Sequence, residues 1–354
     1  MYFTQISIGT PPQHFQVLVD ISSSDTFVTS IDCVMCSPGG ARYNPEASTS
    51  FHPNGTAIDI DYGWMLISGN ISLDTFSFNN FDIRSQMFLN AHRVQPVGLS
   101  WDNIAAIHGI MGLTPSSAGS GLDIPSPFMT MVSQGILDEN VFSLRLREPR
   151  ELMFGGVNHN LFAGNITRIP LTHQTSRYGL TGRWQAQANY IAIGSTPGIR
   201  LGLDGLTASF STSSAYILLP DMLVWHLLRD LEFEDIPFMP YSVSCDKRAL
   251  LPDITFNLAG HNFTLTPHDW TFEWPIEGQR TRCVSALMSI GLPPHETKEI
   301  MLGSAFLRAF YSVFDLDKET VGCESNRSWC SSTPLIFKDT IEADYDKSLS
   351  CLND

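Results

Sequence analysis

The sequence predicts an all-β protein of two similar lobes with only a few short helices. Three observations lead there: short alternating or β-branched segments recur with turn residues between them, helical periodicity is scarce, and the two halves repeat the same order of features. Residues 2–8 and 14–20 read as strands because Ile6 and Ile8, then Phe15, Val17 and Val19, fall on alternate positions around the turn Gly9-Thr10-Pro11-Pro12. Residues 57–61, 71–78 and 141–146 continue the pattern in the first half, and residues 183–193, 254–258 and 311–315 in the second. Helices are expected over residues 127–134 and 220–231; in the latter Leu223, Leu227, Leu228 and Leu231 share one face behind a Pro-Asp start. Each half sends an apolar strand into a Ser/Thr-rich turn, Val19-Asp20-Ile21-Ser22-Ser23-Ser24 and Phe210-Ser211-Thr212-Ser213-Ser214-Ala215. Each later carries an apolar-apolar-Gly segment, Ile110-Met111-Gly112 and Met301-Leu302-Gly303. Residues 165–170 are the expected junction. This gives an N-terminal lobe over 1–165, a C-terminal lobe over 166–323, and a cysteine-containing extension over 324–354 where the strand pattern is lost.

A chain of 354 residues can bury a large core. Its net charge of -15 repels polyphosphate and argues against nucleic acid as a partner. No apolar run reaches the length of a membrane span; the nearest, residues 215–228, is broken by Pro220 and Asp221. The histidines show no metal-ligand spacing, and there is no nucleophile elbow, phosphate loop or dinucleotide fingerprint, so neither a metal nor a cofactor is expected.

Glycosylation sequons stand at Asn54, Asn70, Asn165, Asn262 and Asn326, and seven cysteines fit an oxidising compartment. A secreted protein or one resident in the secretory lumen is expected. The sequence reads straight into a strand, as the mature portion of a longer precursor would. Cys33 and Cys36 read as a small structural loop in preference to a redox pair, because no helix-opening signal follows them, and Cys245 with Cys283 is the expected long-range pair. Cys323, Cys330 and Cys351 leave one cysteine over, which gives an opening for a disulfide-linked dimer.

The strand and turn motifs resemble the pepsin-like family of aspartic peptidases. Tyr2 to Gln13 resembles the family's opening strand, Val19-Asp20 the approach to its first D-T-G motif, and Tyr62-Gly63 with Gly69 and Asp74-Thr75 its flap. Phe154-Gly155-Gly156-Val157 is similar to the run closing the first lobe, and Leu302 to Arg308 through Val313-Phe314-Asp315 to the end of the second. The resemblance implies a long cleft between the lobes, with catalytic positions at Asp20 and Ser211 and substrate-facing positions at Ser22, Tyr62, Gly63, Trp64, Ser213 and Ser214. In the family each lobe gives one aspartate, and the two share a proton and activate a water. Here the second is Ser211. Ile21 replaces a threonine that helps tie the lobes, Ser22 and Ser213 replace glycines, and His108 and Ser304 stand where the family has aspartate. The flap tip reads Trp64-Met65-Leu66, which either folds inward to plug the site or offers an apolar anchor to a partner.

The expected function is therefore binding without proteolysis, with a peptide or protein held in the inter-lobe cleft or at the surface. The alternative is a weak acid endopeptidase in which Asp20 acts as sole base, assisted by Ser211 or His108.

Overall fold

The computed structural model describes residues 2–325 except 37–38, 63–64, 97–107, 116–123, 173–183, 195–197, 230, 232, 235–240, 276–280 and 292–297. The first half contributes β1 (Phe3–Ile8), β2 (Gln13–Asp20), β3 (Phe27–Val34), β4 (His52–Asp61), β5 (Met65–Phe78), β6 (Phe81–Pro96) and β7 (Gly109–Gly112). They form one sheet in the order β1-β2-β7-β3-β6-β5-β4. Alternation explains the pairing: Ile6, Ile8, Phe15, Val17 and Val19 are all buried.

Helix α1 (Pro127–Gln134) follows, with Pro at its first turn and Gly135 at φ 63° just past its end. Strands β8 (Val141–Arg145), β9 (Glu151–Phe154) and β10 (Thr167–Pro170) come next. The second half builds β11 (Gln185–Ile193), β12 (Ile199–Gly202), β13 (Thr207–Phe210), β14 (Ile217–Leu219), α2 (Asp221–Arg229), β15 (Ser242–Ser244), β16 (Ile254–Leu258) and β17 (His261–Leu265). After these come α3 (Pro267–Trp270), β18 (Thr271–Trp274), β19 (Arg282–Ser285), β20 (Leu287–Ser289), β21 (Glu299–Leu302), α4 (Ser304–Leu307), β22 (Phe310–Asp315) and β23 (Thr320–Ser325). The main sheet of this half runs β17-β16-β11-β13-β21-β14-β20, with β12 on β11, and β15-β19-β18 form a small separate sheet.

The repeat expected from the sequence is a repeat of topology. In the first half β7 lies parallel to β2 and antiparallel to β3; in the second, β21 lies parallel to β13 and antiparallel to β14. A glycine stands at the end of β7 and directly after β21, where backbone crosses backbone. A Cβ on Gly112 would sit 2.4 Å from the Ser24 carbonyl carbon, and one on Gly303 2.1 Å from the Tyr216 oxygen. A third sheet, β10-β23-β22-β8-β9, takes strands from both halves. The expected junction at 165–170 thus contains a strand, β10, paired with β23.

Below the two turns an aromatic cluster joins the halves. Phe142 stacks on Phe314 at 4.7 Å between ring centroids, and Trp184 meets them edge-on at 5.6 and 5.2 Å. The Trp184 indole donates to the Leu113 carbonyl at 3.1 Å, tying the second half to the residue after β7.

The last described strand, β23, carries two residues past 323. Cys323 and Glu324 belong to β23, which runs to Ser325, and Cys323 is buried under β22. Its thiol is therefore not presented on the surface for a disulfide-linked dimer, while Cys330 and Cys351 lie outside the described residues. The expected Cys33–Cys36 and Cys245–Cys283 disulfides are both formed. No helix among the described residues is long and apolar enough to cross a membrane.

Candidate functional site

Asp20 is the last residue of β2 and Ser211 follows the last residue of β13, so the repeated topology brings the two turns face to face. Both side chains are buried, Asp20 at 5% exposure and Ser211 at 0%. Each turn is held from behind by its inserted strand. Leu113 donates its backbone N–H to the Asp20 and Ser23 carbonyls, and the equivalent Ser304 donates to the Ser214 carbonyl.

A network of hydroxyls fills the space between the turns. The Asp20 carboxylate accepts at Oδ1 from the Ser22 backbone N–H at 2.7 Å and from the Ser22 hydroxyl at 2.5 Å. The Ser211 hydroxyl donates to Ser22 Oγ at 3.2 Å, and Ser213 Oγ lies 2.9 Å from Ser211 Oγ and 3.2 Å from Ser22 Oγ. The two serines that stand where the resemblance expects glycines thus face one another across the site. One atom of the carboxylate is gripped by Ser22, and the opposite turn offers hydroxyls where a second carboxylate is expected. A hydroxyl can position a water, but at acid or neutral pH it neither carries negative charge nor takes up a proton.

The tie between the turns is one-sided. Thr212 Oγ1 donates to the Val19 carbonyl at 2.6 Å and accepts from the Ile21 N–H at 3.1 Å. Ile21 has no hydroxyl to return the bond; its side chain is fully buried.

Tyr62, just before β5, donates its phenol to Asp25 Oδ2 at 3.1 Å. Burial first, and then the negative fields of Asp25 and Asp20, push its pKa well above the ordinary tyrosine value, so it stays a neutral donor. Sequence reasoning missed Asp25; the signal that could have found it is a further acid five residues after Asp20, behind four uncharged residues. Met65 is fully buried with Leu18, Phe27, Ile60 and Ile67, whereas Leu66 is 37% exposed. The flap base therefore folds inward at Met65. Gly63 and Trp64 lie outside the described residues.

Ser214 faces its own turn, its hydroxyl donating to the Tyr216 carbonyl at 3.1 Å and accepting from the Tyr216 N–H. His108 is corrected as an assisting residue. It sits before Gly109, at the opposite end of β7 from Gly112, the residue paired with Asp20. Its ring packs against Gly40, and burial followed by the nearby Arg42 lowers its pKa. Ser304 is buried at the start of α4. Among the sequons, Asn54, Asn70, Asn165 and Asn262 are exposed, and Asn326 lies outside the described residues.

Comparison with known proteins gives a consistent assignment. The family model described as eukaryotic aspartyl protease matches residues 1–325. A vacuolar protease A of Aspergillus fumigatus is 34% identical over 329 residues, covering 91% of this chain and 78% of its own length. A vacuolar aspartic protease of Candida albicans is 31% identical, covering 91% of this chain and 74% of its own length. Gastricsin of Rattus norvegicus is 29% identical, covering 91% and 80%.

Proposed function

We propose that this chain, which belongs to the pepsin-like family of aspartic proteases, binds peptide without hydrolysing it. The single observation that carries the reading is the buried Ser211 hydroxyl where the resemblance expects the second carboxylate. Hydrolysis by a carboxylate pair needs one group to take a proton from water while the other gives a proton to the scissile carbonyl. Asp20 can serve in the first role. Ser211 cannot serve in the second at acid or neutral pH, and general acid–base help of this kind is worth about 10²–10⁴ in rate. Groups that act jointly lose most of their combined effect when one is removed.

Peptide binding makes no such demand. An extended segment is held by backbone hydrogen bonds and alternating side-chain pockets, and the residues for it are Ser22, Tyr62 and Ser213 with Gly63 and Trp64 of the flap, whereas Ser214 is turned to Tyr216. The reading keeps residues 1–165 and 166–323 as the two lobes. It places the protein in the secretory pathway or outside the cell, supported by two disulfides and by exposed sequons.

The test is affinity selection. Immobilised protein is exposed to a random decapeptide library at pH 5, and retained peptides are sequenced by mass spectrometry beside a Ser213→Trp variant that fills the cleft. Intact peptides enriched on the native chain and lost on the variant support the reading. Equal retention on both sinks cleft binding, and recovery of cut peptides favours the weak acid endopeptidase that uses Asp20 with Ser211.

A further inference from the structure

A cavity of about 440 Å³ lies on the first lobe, away from the paired turns, over β3, β5 and β6. Its volume is within the roughly 300–1,000 Å³ of small-molecule pockets. Asn70, which opens the sequon Asn70-Ile71-Ser72, lines it and is exposed. Directly across the ladder from Asn70 stands Asn90, so their side chains share one face of the sheet. The Asn90 side-chain oxygen is buried and has no hydrogen-bond partner. A buried acceptor left without a donor is unfavourable, and a polar cavity beside it is where a donor would come from.

The remaining walls suit a sugar. Phe51 and Pro53 give flat apolar surfaces for the C–H face of a pyranose, and Asp32 and His92 give polar edges for its hydroxyls. An acetamido N–H on the sugar would supply the donor that Asn90 lacks. We infer that the cavity is the seat of the first N-acetylglucosamine residues of a glycan attached to Asn70. The glycan core then lies against the lobe, Asn90 Oδ1 accepting from it and Phe51 stacked beneath it. The occupant is fixed by its covalent tether, since Asn70 itself lines the cavity.

The inference rests on passage of the chain through the secretory pathway, and its test separates the two. The full chain is produced in a eukaryotic secretory host, and site occupancy is read by glycopeptide mass spectrometry. The folded protein is then treated with an endoglycosidase that cuts the chitobiose core. The expected result is occupancy at Asn70 with release there at least about tenfold slower than at Asn165 and Asn262, a factor equal to about 1.4 kcal/mol of protection. After denaturation the rates should converge. Asp32→Ala, an exposed change that leaves the core intact, should speed release at Asn70 alone, and Asn90→Ala should do the same. A bare Asn70 on a chain glycosylated at Asn165 or Asn262 overturns the inference, as does release at Asn70 as fast as at those sites. A chain with no glycan at any sequon overturns the secretory reading with it.

Discussion

Thr212 spans the two turns with one hydroxyl that serves as both donor and acceptor, and it has no counterpart on Ile21. Thr212→Val keeps the shape and leaves the Val19 carbonyl and the Ile21 N–H unpaired in a buried site, at a cost of about 1–3 kcal/mol. The urea midpoint should fall with the m-value unchanged; an unaltered midpoint would mean that the backbone groups find other partners. Cys323 makes a second prediction at this scale. Burial pushes its thiol up to about 12, so little thiolate exists near neutral pH and the sulfur is inaccessible. In native protein at pH 8 it should resist iodoacetamide until denaturant is added, and labelling at the rate of a free thiol would contradict its place under β22. Asp20, Ser211 and the three flanking departures Ile21, Ser22 and Ser213 were legible because a motif shows what it lacks. The grip of Ser22 on Asp20 was not, because the direction of a turn hydroxyl depends on its partner turn 191 residues away.

β1, β2, β11, β16 and β22 were read nearly to their ends, since one face meets the core, whereas the expected 57–61 and 71–78 caught only the later parts of β4 and β5. Among those that escaped, β3 and β6 of the first sheet break the alternation. In β6 the fully buried Gln86 interrupts the apolar pattern, its amide Nε2 donating to the Pro125 and Met87 carbonyls while Oε1 has no partner among the described residues, and Ser85 takes φ 50° at a bulge opposite Asp74 and Phe76. Asp315, at the end of β22, shows what the shared sheet depends on. Its buried carboxylate accepts from Arg168 of β10 and from Lys318, each at 2.9 Å. Burial alone would raise its pKa, but the Lys318 and Arg168 donors outweigh burial and hold it below the usual 3.8. Asp315→Asn should destabilise the chain at pH 7 by about 1.5–3 kcal/mol, towards the lower figure because both cations are partly solvated. A depressed carboxyl gives its stability above the unfolded value and loses it as pH falls through the folded one. The gap between native and variant in denaturant unfolding should therefore be full at pH 5 and close below about pH 4; a gap that persists at pH 2 would count against an ionic origin.

Two lobes were legible at the scale of the whole molecule because the repeated turn and the apolar-apolar-Gly segments mark equivalent places in each half. The shared sheet was not, because β10, β22 and β23 lie at the ends of the second half and their pairing with β8 and β9 carries no local signal. The symmetry makes the chemical asymmetry informative: identical scaffolding delivers a carboxylate from one lobe and a hydroxyl from the other. The most direct test is cleavage of a diverse peptide library from pH 2 to 7, read by mass spectrometry, for the native chain and for Asp20→Ala, with and without a statin-type inhibitor. The account predicts products from the native chain no more abundant than those from Asp20→Ala at any pH. Cutting by the native chain that the inhibitor blocks and that Asp20→Ala abolishes would contradict it.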